Sequence, residues 1–286
     1  MKKVFAETYR IFRKAPLHIS AIFIMDIVCA VIYAFDPYII GACIDDLLLH
    51  EYRWLFIFII LRLLLIALRT ADKFLDTRTY SRIVEEENTA YYEKIIRTDA
   101  DESKISSLLD LVDDVPNFLE ADLFNILSMA GGIAFSLAFI LSTSGWFVFV
   151  LAVSISAIVP ISTYKLAKDI AFNNEERKHI DEVRVNIIAG RTIGRYRKHI
   201  EQALSLDVAN SDLDAKAYLI TDLLQTALLV AAIVSTIHAG SYTSGQLFST
   251  ITYVMMLNDY ASEINETIIT VKNVYGSVSR LERNIR

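Results

Sequence analysis

Nine glycines are scattered through 286 residues. None opens the run G-x-x-x-x-G-K-[ST], whose backbone N–H groups cradle a triphosphate. Gly190 and Gly194 come nearest, but they lack the spacing and the Lys-Ser/Thr pair. No nucleotide site is expected in this chain. Cysteine is equally sparse. Cys29 and Cys43 lie on one apolar stretch, which as a helix separates them by about 21 Å at ~1.5 Å per residue. They cannot pair with each other, and two buried thiols are expected. The five histidines, His18, His50, His179, His199 and His238, show no ligand-like spacing, so no metal is expected. No Ser/His/Asp or Cys/His arrangement is readable, so no catalytic residue, cofactor or enzyme activity is expected. The net charge of −6 comes without a basic footprint for nucleic acid. The N-terminus lacks a small-residue cleavage site after a short apolar core, so the first apolar run is expected to be retained.

What the chain has is hydrophobic residues, 54% of the total, against about 45–50% in soluble domains. They come in six runs of near-bilayer length: Leu17–Ile44, Trp54–Ala71, Leu123–Leu141, Trp146–Leu166, Leu219–His238 and Leu247–Ile269. Three connections between them are short, and two are roughly fifty residues long. Of 28 Lys and Arg, all but Arg53, Arg62 and Arg69 lie at the termini or in and beside the two long connections. The positive-inside rule puts both termini and both long connections in the cytoplasm. Trp54, Trp146 and Tyr242 fit an interfacial belt.

The long connections carry charged, Ala- and Leu-bearing sequence with few helix breakers, as at Ser81–Arg97 and Asn174–Ile188. A structureless loop of fifty residues is unusual. The membrane helices are therefore expected to run on into the cytoplasm and turn far from the bilayer, near Thr98–Ser103 and near Gly190–Lys198. The expected fold is all-α: a polytopic membrane protein of six long helices near 17–44, 54–97, 104–141, 146–188, 200–238 and 247–283, forming one transmembrane domain.

Charge inside the runs is the informative set. In the last run Thr252, Asp259, Glu263, Glu266, Thr270 and Asn273 recur at helical spacing, on one narrow face. Acids on a membrane-length helix do not face lipid; that face looks into protein or a water-filled space. Asp36 is about 13 Å below Asp45, and Arg62 about 12 Å below Trp54, at ~1.5 Å per residue, so these two are expected to pair. Arg69 and Asp259 both lie about 21–22 Å down and are expected to meet if their helices adjoin. Asp26 lies about 28 Å down, level with Lys73. The bland reading of these charges is ion pairs that fix helix register. The functional reading has Asp259, Glu263 and Glu266, with Thr252 and Thr270, lining a cavity that attracts cations or moves protons. Gly131-Gly132 is read as a close helix contact. The basic run with Arg191, Arg195, Arg197 and Lys198 is read as a solvated tip, with a partner or lipid headgroup as the minority reading.

Several local patterns resemble the transmembrane domain of ABC exporters. Pro37-Tyr38-Ile39-Ile40-Gly41-Ala42-Cys43-Ile44-Asp45 is similar to that family's P-x-x-x-G-x-x-I-D. Asp113-Asp114-Val115 resembles the pair opening its third helix, and Asn186-Ile187-Ile188-Ala189-Gly190-Arg191-Thr192-Ile193 its E-x-L-x-G-I-x-x-I, with Asn186 in place of glutamate. Gly245-Gln246-Leu247 resembles the G-D/E-L that opens its sixth helix, and Ser279-Arg280-Leu281 the end of the domain. Their order and spacing span nearly the whole chain. The resemblance implies a homodimer or heterodimer with twelve helices around one cavity, the fourth and fifth helices swapped onto the partner.

This chain departs from the family at the first cytoplasmic tip. The family has a proline- and aromatic-containing coupling segment there, whereas Thr98–Lys104 is short and acidic. The expected function is a transporter of the exporter type that moves a small molecule through the central cavity, without a nucleotide-binding domain in this chain. The partners are a second copy, the lipid bilayer and a separate ATPase subunit. Two alternatives stay open: an ATP-independent ion- or proton-coupled carrier, and a non-transporting membrane scaffold or regulator. The expected location is a bacterial inner (plasma) membrane.

Overall fold

The computed structural model describes residues 2–96, 109, 111–182, 184–190, 192–238, 240 and 242–285. The described residues are almost all helical: α1 (Lys2–Phe12), α2 (Pro16–Leu48), α3 (Arg53–Ile95), α4 (Asp114–Asn117), a π-helical turn (Phe118–Asp122), α5 (Leu123–Glu182), α6 (Arg184–Ala189), α7 (Ile193–His238) and α8 (Ser244–Ile285). By length and composition, four described helical segments are apolar enough to cross a membrane: Pro16–Leu48, Arg53–Ile95, Asp114–Ile180 and Ile193–His238.

The third of these crosses twice. Its sixty-residue α5 folds back at Gly145, whose φ of 81° and ψ of 176° are not helical. A residue with a Cβ is strained at that φ. The sixth crossing is α8, less apolar because Asn258, Asp259, Ser262 and Glu263 interrupt it. Six crossings thus follow from α2, α3, the two limbs of α5, α7 and α8. The turn expected near Thr98–Ser103 lies outside the described residues. At the second tip the chain turns between α6 and α7, with Gly190 and Thr192 exposed.

Packing sorts the helices into two groups, joined by α8 and by direct contact of α2 with α5, where Phe35 packs edge-on against Phe135. The first is the hairpin of α2 and α3, with Cys29, Ile32 and Leu65 buried in its seam. Both cysteines are free and buried. Much of the apolar stretch of α3 is otherwise open, with Phe56, Ile60, Leu63 and Ile66 exposed. The second group is α5 with α7, where Ile140, Val148, Ala152, Ile155 and Val159 meet Leu228 and Ala232. From α8, Val254 and Leu257 close that core. Between membrane-spanning helices such a core is held by close packing, since lipid is as apolar as these side chains.

A third core sits at the end of the helices away from the α2–α3 turn. There Ile11 of α1 joins Ile19 and Ile22 of α2, Tyr80 and Ile83 of α3, Phe118 and Leu119 of the π turn, and Val274 and Val278 of α8. Polar contacts fix α1 to it. The Arg10 guanidinium donates to both oxygens of Glu87, at 3.0 and 2.7 Å. The Lys14 ammonium adds a contact of 2.8 Å. Burial pulls the Arg10 pKa down, but the bonds to Glu87 and Glu7 outweigh it and hold the guanidinium above its ordinary value.

Candidate functional site

The site is built by docking one face of α8. At its N-terminal end Thr243 caps the helix, its Oγ1 accepting from Gln246 N at 3.1 Å. Asp45, from the end of α2, reinforces the cap. Its carboxylate accepts from Gly245 N at 2.8 Å and from Thr243 Oγ1 at 2.5 Å. A carboxylate there also complements the positive end of the helix dipole.

One turn along α2, Gly41 meets Gly245 backbone to backbone. A Cβ on Gly245 would lie 1.9 Å from the Gly41 carbonyl oxygen, so the crossing requires glycine at both positions. Ser249 then donates to Pro37 O at 2.8 Å, and Tyr253 to Ala34 O at 2.8 Å. Residues 34, 37, 41 and 45 of α2 thus grip 253, 249 and 245 of α8 turn by turn. The two motifs Pro37–Asp45 and Gly245–Leu247, separate in the sequence, form one junction.

Deeper in the membrane α8 docks on α5. The Asn265 side-chain amide donates to Pro160 O at 2.9 Å and to Thr163 Oγ1 at 2.8 Å. The Tyr260 ring fills the space above Gly132, where a Cβ would lie 2.2 Å from a ring carbon. Gly132 is therefore a close-packing position, whereas a Cβ on Gly131 would meet nothing within 4 Å.

These contacts leave the opposite face of α8 open. Asp259, Ser262, Glu263 and Glu266 are exposed, Met255 is 54% exposed, and Thr252 and Thr270 are half-buried. Among the described residues none of the three acids forms an ion pair. The charged neighbours that Glu263 feels are Asp259 and Glu266. Asp122, at the end of the π turn, lies within electrostatic reach of Glu266 and extends the acidic face beyond it. Sequence reasoning missed Asp122; the only signal was its place directly before the apolar run 123–141. Asn273 is exposed on the same helix.

The other membrane charges divide. Asp36 and Arg62 meet at 2.5 Å across the α2–α3 hairpin, and the guanidinium also lies 5.0 Å over the Phe58 ring. Arg69 does not meet Asp259. Its guanidinium donates to Tyr33 Oη at 2.6 Å and lies over that ring, because α3 packs on α2 rather than against α8. Asp26 finds no cation among the described residues; its charged neighbours are Asp72 and Asp76. The basic tip remains solvated: Arg195, Arg197 and Lys198 are exposed, and Arg197 lies 3.5 Å from Glu201. Arg191 lies outside the described residues.

Six membrane crossings, two of them joined at one glycine, leave one polar helix face uncovered. A family model for the ABC transporter transmembrane region matches residues 10–245. The chain belongs to that family. The match to this transmembrane region runs from α1 to the first turn of α8, so the junction of Asp45 with Gly245 falls inside it. Asp259, Glu263 and Glu266 lie beyond the matched residues of the ABC transmembrane region. No curated protein matches the chain significantly.

Proposed function

We propose that the chain is one half of an exporter-type pore, working as a dimer in a bacterial inner membrane with both termini cytoplasmic. The open acidic face of α8 lines the cavity between the two copies and attracts a cationic small molecule. The observation that carries this reading is the orientation of α8. Its docked face is occupied by α2, α5 and α7, while its carboxylates point where no described element covers them. Facing lipid, each would cost about 3 kcal/mol; facing a shared aqueous cavity, they stay hydrated. Alternating access is a rocking of the two helical groups about that cavity. The chain itself is no enzyme, and ATP hydrolysis is supplied by an ATPase outside residues 1–286.

A second reading, proton- or ion-coupled carriage without ATP, is supported by the same acids having no basic partner. A non-transporting scaffold is the third, and the exposed charges argue against it, since a scaffold does not need them. Purification from native membranes, followed by uptake of a fluorescent cationic dye into liposomes, separates the three. A co-purifying ATPase with ATP-driven uptake supports the exporter, and uptake driven by a pH gradient alone supports the carrier. Uptake by neither route leaves the scaffold. In both transport readings the variant Asp259→Asn/Glu263→Gln/Glu266→Gln loses uptake. Unchanged uptake with unchanged pH dependence removes the α8 face from the mechanism.

A further inference from the structure

The second limb of α5, after Gly145, carries one uncovered stripe. Phe147, Val150, Ser154, Ile158 and Ile161 are exposed and recur every three or four residues, so they share one face. Phe147 is 75% exposed and Ile161 76%. A continuous apolar face on a membrane crossing is a face for lipid chains. At the same spacing the stripe then changes to Lys165 and Lys168, both exposed. They lie about 30 and 35 Å beyond Gly145 at ~1.5 Å per residue. A hydrocarbon core about 30 Å thick gives way to headgroups at that level. Among the described residues neither lysine forms an ion pair or a side-chain hydrogen bond, and Asp169 beside them is joined to neither.

A second observation comes from α8. Asn265 fixes that helix to α5 at Pro160 and Thr163. Two turns farther on, the ammonium of the exposed Lys272 donates to Tyr164 Oη. It lies 4.9 Å from the centre of the same ring. A third ammonium, from another helix, is thereby held against α5 at the residue directly before Lys165 and one turn before Lys168. Its partner is a neutral phenol, which leaves its charge uncancelled. Three ammonium groups and a hydroxyl from two helices, at the end of an apolar stripe, complement a phosphodiester that carries acyl chains. A free anion has no use for the stripe.

We propose that Lys165, Lys168 and Lys272, with the Tyr164 hydroxyl, bind the headgroup of an anionic phospholipid whose acyl chains run along Ile161 and Ile158. A lipid seated there bridges α5 and α8. The site depends on α5 crossing the membrane and not on what the pore carries, so it stands or falls separately from the acidic face of α8.

The test uses the full chain in mild non-ionic detergent, with phosphatidylglycerol, phosphatidylcholine and inorganic phosphate as probes. Bound lipid is counted by native mass spectrometry. Saturable binding of phosphatidylglycerol is expected, about tenfold tighter than that of phosphatidylcholine and not displaced by inorganic phosphate. Lys165→Gln/Lys168→Gln is expected to weaken it by about tenfold, and Lys272→Gln by a smaller factor. Lys178→Gln/Arg184→Gln removes the same charge from exposed positions farther along the chain, and is expected to leave binding unchanged. Equal affinity for the two lipids overturns the proposal. An equal loss in the charge-matched control does so too, because the preference would then follow net charge. Displacement by inorganic phosphate turns the site into one for a free anion and also overturns it, as does phosphatidylglycerol binding that survives the lysine variants.

Discussion

Glu87 and Glu263 are both carboxylates on long helices, and their surroundings are opposite. Glu87 is 2% exposed and held by Arg10 and Lys14. Glu263 is exposed, and the charged groups it feels are other acids. The first is charge used as structure. A buried carboxylate with two cations clamps α1 onto the C-terminal half of α3, and removing its partners strands a charge. The second is charge without a structural partner. Asp36 with Arg62 sits between them, paired but at membrane depth. Compensation, more than burial, separates the acids that hold this fold from those available to a ligand.

Three sets of variants sharpen that contrast. Replacing both partners, Arg10→Met with Lys14→Met, leaves Glu87 buried and bare. We expect a loss of about 3–5 kcal/mol, read as a large fall in the thermal midpoint of the purified protein. A midpoint within a degree of wild type would mean that α1 is not clamped by charge. Next, Asp36→Leu strands Arg62 in the apolar hairpin at a cost of about 2–3 kcal/mol. The double change Asp36→Leu/Arg62→Leu should recover most of that stability. If the single and double variants unfold together, the pair contributes packing rather than charge. The smallest effect is expected on α8. Asp259→Asn, Glu263→Gln and Glu266→Gln should each alter stability by no more than about 0.5 kcal/mol, even where uptake is lost. A strongly destabilised member of that set would place its acid in the structural class with Glu87.

The sequence disclosed what depends on runs and depth. The six apolar stretches come from composition alone, and the pairing of Asp36 with Arg62 follows from helical rise. Depth does not give azimuth, and that is where the reading of single charges failed. Arg69 and Asp259 are level, but α3 packs against α2, so Arg69 reaches Tyr33. For Asp26 depth gave only a level, and its charged neighbours prove to be Asp72 and Asp76, while Lys73 at that level reaches Asp76. The clasp of Asp45 on Gly245 spans 200 residues. Both of its halves carried a visible motif, but nothing local says that they touch.

The glycine turn of α5 carries a mechanical consequence. One residue links the two limbs, and Ser144 beside it bonds Thr236 Oγ1 at 2.9 Å and accepts from Ser235 at 2.8 Å. The limbs and α7 are thus riveted together at that end, as α2 and α8 are at Gly41. Thr250 of α8 also donates to Thr143 Oγ1 at 3.3 Å beside the same turn, so α2, α5, α7 and α8 are tied into one block at these ends.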